Sequence, residues 1–185
     1  MSGSDRSEDE FLRLEDEARH AEEVAARSER HQRLQRAREL ATWAGTLEDL
    51  AERRLGVVVQ LAGSRRVRGT LVAAEPDLVA LRSEAGQLVI VRAGAVRLLR
   101  PQPGVAAAIA TGDRQRVAGR RFIEVVQQLV EDRARVMLGL DALEEPVIGR
   151  LRALGEDVLT VELDPTPRGL AYLPLGAVQE VTVEP

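Results

Sequence analysis

Residues Val57–Arg100 read VVVQLAGSRRVRGTLVAAEPDLVALRSEAGQLVIVRAGAVRLLR. Val57, Val59 and Leu61 alternate, and Ala62-Gly63-Ser64 turns. Val67, Gly69, Leu71 and Ala73 alternate again, with Arg66, Arg68 and Thr70 on the opposite face. Glu75-Pro76-Asp77 makes a second turn, Leu78–Leu81 a third strand, and Ser83–Gly86 a further turn. Leu88–Val91 and Val96–Leu99 complete the set. Period-two alternation between Gly, Pro and Asp breaks predicts strands rather than helices. Five strands in so short a stretch are expected to curl into a small barrel, because a flat sheet of this size leaves one face uncovered.

Composition narrows the rest. The 185 residues are 44% hydrophobic but only 2% aromatic, so the core must be built from Val, Leu and Ala. No Cys is present, which removes disulfides, thiol catalysis and thiolate metal sites. No apolar run approaches the length of a membrane span, and the polar, acidic start is unlike a signal peptide. A cytoplasmic protein is expected. Net charge is −4, but it is unevenly spread. Residues 56–100 carry three acids and seven arginines, whereas 134–185 carry nine acids and four arginines. Such asymmetry bears on partners rather than fold.

Residues 1–9 are expected to form a disordered tail. Residues 10–45 are rich in Ala, Glu, Arg, Leu and Gln, and predict one long charged helix. Phe11, Leu14, Ala18, Ala21, Ala25 and Ser28 keep a heptad-like spacing, and the two readings of it are coiled-coil pairing or a solvated helix held by i,i+4 charge pairs. Past Leu34 the helix is expected to touch the folded body, with Trp43 as the anchor and Gly45 as the stop. Thr46-Leu47-Glu48-Asp49 then opens a short helix with capping-box spacing. It would close one end of the first barrel, which spans 46–100.

Residues 101–113 read as a linker, and 114–185 as a second helix plus barrel. The helix begins near Arg114 or Arg120 and buries Phe122, Val125, Val126, Leu129 and Val130. From there the first pattern returns. Leu47, Leu50, Glu52, Arg54 and Val57 match Val126, Leu129, Glu131, Arg133 and Val136 at an offset of 79. Val67, Gly69, Leu71, Ala73 and Asp77 match Val147, Gly149, Leu151, Ala153 and Asp157 at 80. Gly94-Ala95-Val96 matches Gly176-Ala177-Val178 at 82. The chain is an internal duplication.

The first repeat resembles an Sm-like domain, the small barrel of Sm proteins and the bacterial Sm-like RNA chaperone. A helix precedes V-x-V-x-L-x-x-G, then G-x-L, then Glu75, and Val91-Arg92-Ala93-Gly94-Ala95-Val96 resembles the family's I-R-G-x-x-V signature. The second repeat fits more loosely, and Gly149–Val178 also resembles a PRC-type barrel. The resemblance implies a mainly β fold: a long N-terminal helix followed by two tandem five-stranded small barrels, each preceded by a short helix. In that family a loop Asn with neighbouring acidic and Arg-Gly residues holds a base of single-stranded RNA. Arg92 retains the Arg position and Glu75 approximates the acid. Val79 falls at or beside the Asn position, and Pro174 replaces the Arg in the second repeat.

Arg65, Arg66 and Arg68 on one strand, with Arg92, Arg97 and Arg100 from the far edge, could form one positive surface for phosphates of single-stranded RNA or DNA. The alternative is a solvated strand face. Gly63–Gly69 lacks the Gly-Lys-Ser/Thr ending of a phosphate loop and reads as a hairpin. His20 and His31 have no further ligands at metal-binding spacing, no nucleophile is paired with a base, and no cofactor is expected. Two functions follow. One is a non-catalytic nucleic-acid-binding regulator, RNA more than DNA, acting through the basic first repeat. The other is an assembly module in which barrel edges or the N-terminal helix bring copies together.

Overall fold

Gly56–Leu61 (β1) and Arg66–Ala74 (β2) bury Val57, Val59, Leu61, Val67 and Leu71 on one face. Gly63, at φ 74°, makes the turn between them. Leu78–Arg82 (β3), Leu88–Arg92 (β4) and Val96–Pro101 (β5) follow at the expected turns. The second repeat supplies Arg135–Leu140 (β6), Val147–Leu154 (β7), Val158–Leu163 (β8), Leu170–Pro174 (β9) and Val178–Val183 (β10). The structure is a computed structural model, and it describes residues 24–105, 109–110, 112, 119–164 and 169–184.

The expectation of two closed barrels is overturned. All ten strands form one open antiparallel sheet in the order β5-β1-β2-β3-β4-β10-β6-β7-β8-β9. Each repeat keeps the same internal order, but its outer strands do not pair with each other. β4 gives its free edge to β10 instead, with Val91 opposite Glu180, Ile90 opposite Val181 and Leu88 opposite Val183. An edge strand satisfies its backbone groups with whichever strand reaches it. Here the second repeat does.

Helices depart from expectation too. Residues 24–39 are helical (α1), but 40–42 interrupt the helix. Residues 1–23, with the expected tail of 1–9 and the spacing from Phe11 to Ala21, lie outside the described part of the chain. Thr42 is extended, its N–H donates to Gly112 O at 2.9 Å, and its hydroxyl accepts the Gly45 N–H at 3.0 Å. It therefore caps a new helix, Trp43–Glu52 (α2). Gly45, expected to stop a helix, is buried inside this one, and the expected start at Thr46 falls within it. Trp43, expected as an anchor, is 47% exposed. Leu34, expected to begin the contact with the folded body, is exposed as well. The helix of the second repeat is Phe122–Glu131 (α3), beginning after Arg120, one of the two expected starts; the other, Arg114, lies outside the described residues. No described helix is long and apolar enough to cross a membrane.

Two cores result. Leu47, Leu50 and Ala51 of α2 meet the inward residues of all five strands of the first repeat. Phe122 and Val126 of α3 meet those of the second, together with Leu78 and Ile90 from the outward face of β3 and β4. This crossing explains why Leu78–Leu81 are buried at every position although alternation predicts one wet face.

The duplication extends to backbone detail. α2 and α3 each have ten residues and end before a positive-φ arginine, Arg54 at 48° and Arg133 at 49°. Gly69 and Gly149 are required by close approach: a Cβ would lie 2.5 Å from Arg82 O and 2.1 Å from Glu162 O. The register slips between Leu71 and Ala73, and between Leu151 and Ala153. The first slip changes which residue faces inward: Ala74 is buried, and Ala73, expected in the core, is only half-buried.

Candidate functional site

The six arginines expected to form one phosphate surface divide into two groups. Arg92 closes β4 at the joint between repeats. Its Nε donates to Val178 O at 3.2 Å and its Nη2 to Leu175 O at 3.0 Å. The guanidinium carbon sits 4.3 Å from the centroid of the Phe122 ring. Asp77 lies beside it, and Asp77 Oδ1 accepts the Phe122 N–H at 2.8 Å. That N–H belongs to the first turn of α3, where no intrahelical acceptor exists, so a carboxylate from the other repeat satisfies it. Burial lowers the Arg92 pKa and the Asp77 charge partly opposes it. The guanidinium stays charged, because its ordinary value lies so far above neutrality.

Arg65 is also engaged at the joint. Its Nε lies 3.0 Å from Glu180 Oε1, and the Glu180 side chain is 6% exposed. Burial pushes the Glu180 carboxyl above its ordinary range, and Arg65 pulls it back in part. Arg65 Nη1 and Glu180 Oε2 have no hydrogen-bond partner among the described residues. A buried pair left partly unsatisfied is a weak stabiliser, whereas removing one member strands the other charge. Beside it, Gln179 Nε2 donates to Asp141 Oδ1 at 2.9 Å.

Arg66 and Arg68 stay exposed on β2. Val58 of β1 lies opposite Arg68 on one side and Arg100 of β5 on the other, so these two arginines flank a buried Val58 on one face. Gln60 likewise lies between Arg66 and Leu98. No acid among the described residues pairs with Arg66, Arg68 or Arg100. Arg97 is exposed and donates to Gly94 O at 2.8 Å, a bond within its own turn. The outward face of β5-β1-β2 therefore holds three cations, Arg66, Arg68 and Arg100, that no described acid engages.

Sequence reasoning missed Asp77, Phe122 and Glu180 as partners of those arginines. Arg92–Phe122, Asp77–Phe122 and Arg65–Glu180 each cross from one repeat to the other, and no local spacing encodes them. Two shallow clefts flank the joint. One, of about 270 Å³, is lined by Arg82, Gln87, Leu88 and Val183 among others; the other, of about 170 Å³, by Gly63, Arg65, Leu140 and Leu143 among others. Both fall short of the roughly 300 Å³ and upward of common small-molecule sites.

At the far end of the sheet, β9 carries apolar side chains in water: Leu170 is 55% exposed and Tyr172 67%, with Val158 of β8 beside them at 37%. No family model, no curated protein and no solved structure matches this chain.

Proposed function

We propose that the chain is a non-catalytic assembly module that joins copies of itself through the two open ends of its sheet. One observation carries this reading: the β4–β10 joint. It is a contact between two repeats of one design, and among the described residues the same design leaves one unpaired edge at each end, β5 and β9. Unpaired edge strands are templates for pairing unless they are blocked. Charge supports it as well, since the basic first repeat and the acidic second one attract when they meet in alternation. Sedimentation velocity over about 1 to 100 μM, the range of weak and moderate contacts, tests the reading. Mass that grows with concentration supports it, and a monomer throughout overturns it.

A second reading rests on the face bearing Arg66, Arg68 and Arg100. Three unengaged cations in register could neutralise phosphates of single-stranded RNA, or less favourably DNA, without reading bases. Arg65 and Arg92 contribute nothing to it, because both are engaged at the joint. Both readings take the cytoplasm as the protein's setting.

A further inference from the structure

The repeat offsets carry several parts of the internal joint onto exposed counterparts. Offset 79 carries α3 onto α2 residue for residue, and sets Phe122 on Trp43. Phe122 is fully buried in the joint; Trp43 is 47% exposed. Offsets of 80 and 82 carry Leu78, Leu88 and Ile90 onto Val158, Leu170 and Tyr172. The first and third of the former set are 4% and 3% exposed, and Leu88 packs partly buried against the second core. Their counterparts are the apolar side chains left in water at the β9 end. Asp77, which accepts the Phe122 N–H, corresponds to Asp157. Arg92, which lies against the Phe122 ring, corresponds to Pro174, whose ring offers an apolar face in its place.

We propose that copies join head to tail, with Trp43 and β5 of one covering Val158, Leu170 and Tyr172 and pairing with β9 of the next. This rests on the assembly reading and specifies its contact. Trp43 takes the place of Phe122, and the first-turn amide of α2 faces Asp157. The β4–β10 register, moved by 82 residues, sets Leu98 opposite Leu173 and Leu99 opposite Tyr172. Leu98 occupies the position of Glu180, and it is 49% exposed, so an apolar pair replaces the buried charge of the internal joint. The occupant is a second copy, because the surface on β9 repeats one that this chain already covers with its own next repeat. The contact is heterologous: each copy offers one of each end, so association grows rather than stopping at two unless the turn closes a ring.

The test is sedimentation velocity of the full chain, of Trp43→Ala, of Tyr172→Arg, and of the two variants in equal amounts. Thermal unfolding by circular dichroism, at concentrations where the parent is monomeric, should find both variants folded, since Trp43 is 47% exposed and Tyr172 67%. Each variant alone is expected to associate at least about tenfold more weakly, because the central anchor of an interface carries much of its energy. Mixed, they should form one species of two chains and no larger. One variant still offers its β9 end and the other its Trp43 end. Trp43 is the single Trp, so its emission should also shift to shorter wavelength with concentration in the parent but not in Tyr172→Arg. Variants that associate as strongly as the parent, or a mixture that stays monomeric, would overturn the proposal while leaving the assembly reading in place. A parent that is monomeric at every concentration would remove both.

Discussion

Arg92 in β4 lies over the ring of Phe122 in α3, its guanidinium carbon 4.3 Å from the ring centroid, while its nitrogens hold two carbonyls of the second repeat. The residue that most resembles a ligand-binding arginine is thus the clamp between the two halves of one sheet. Its donors face Val178 O and Leu175 O, and its ring contact orients α3.

Arg92→Ala should therefore lower stability. Two charge-assisted hydrogen bonds and a cation–π contact are lost, and a loss of roughly 2–4 kcal/mol follows. Urea unfolding measures it. Arg92→Lys should recover less than half, because an ammonium cannot serve both carbonyls and stack on the ring. Unchanged unfolding in Arg92→Ala would mean that the joint does not depend on this clamp.

Glu180 should make stability fall as pH rises. Its folded carboxyl lies above the ordinary range, so the folded state holds the proton more tightly than the unfolded one. Stability linked to this group is full below the unfolded value, about 4.3, and is lost as pH climbs to the folded value. In Glu180→Gln that slope is absent, while the amide oxygen still accepts from Arg65. Urea unfolding of parent and variant from about pH 4 to 8 should show the variant gaining on the parent as pH increases. A constant difference would remove the titration from the account.

Gly69→Ala and Gly149→Ala should each destabilise by about 1–3 kcal/mol, since the new methyl meets backbone carbonyls that cannot swing aside. Gly94→Ala is the control. A Cβ there meets nothing within 4 Å, so its change should stay within about 0.5 kcal/mol.

The nucleic-acid reading is checked by anisotropy of labelled single-stranded RNA and duplex DNA from about 50 to 200 mM salt, where phosphate-driven binding changes steeply. Arg66→Glu, Arg68→Glu and Arg100→Glu should each weaken binding across all sequences and flatten its salt dependence. Arg97→Glu should matter less, as Arg97 is turned onto Gly94 O. Binding that ignores these reversals, or none at the lowest salt, would set this reading aside.

Strand positions, the duplication and the composition of the core were legible in the amino-acid order, because alternation, turn residues and repeat spacing are local properties. The helix interruption at 40–42 was harder to see. Thr42 is a good cap, but so is Thr46, and strong helix formers surround both. Gly112 settles the choice by accepting the Thr42 N–H from some seventy residues away along the chain. The match between Trp43 and Phe122 was open to view, since it extends the same offset of 79 by four residues beyond Leu47 and Val126. Its meaning was not, until one of the two proved buried and the other exposed.

Taken alone, then, the sequence determined two copies of a helix-and-five-strand unit with a Val, Leu and Ala core and an uneven charge. Only the tertiary structure decided that the units do not close on themselves. A strand's own residues specify which face is apolar, but its edge hydrogen bonds go to whatever backbone arrives, and that depends on the whole chain. The same cause withdrew Arg65 and Arg92 from the expected surface and brought Arg100 into line with Arg68. Charge and spacing name the candidates, and register assigns their neighbours.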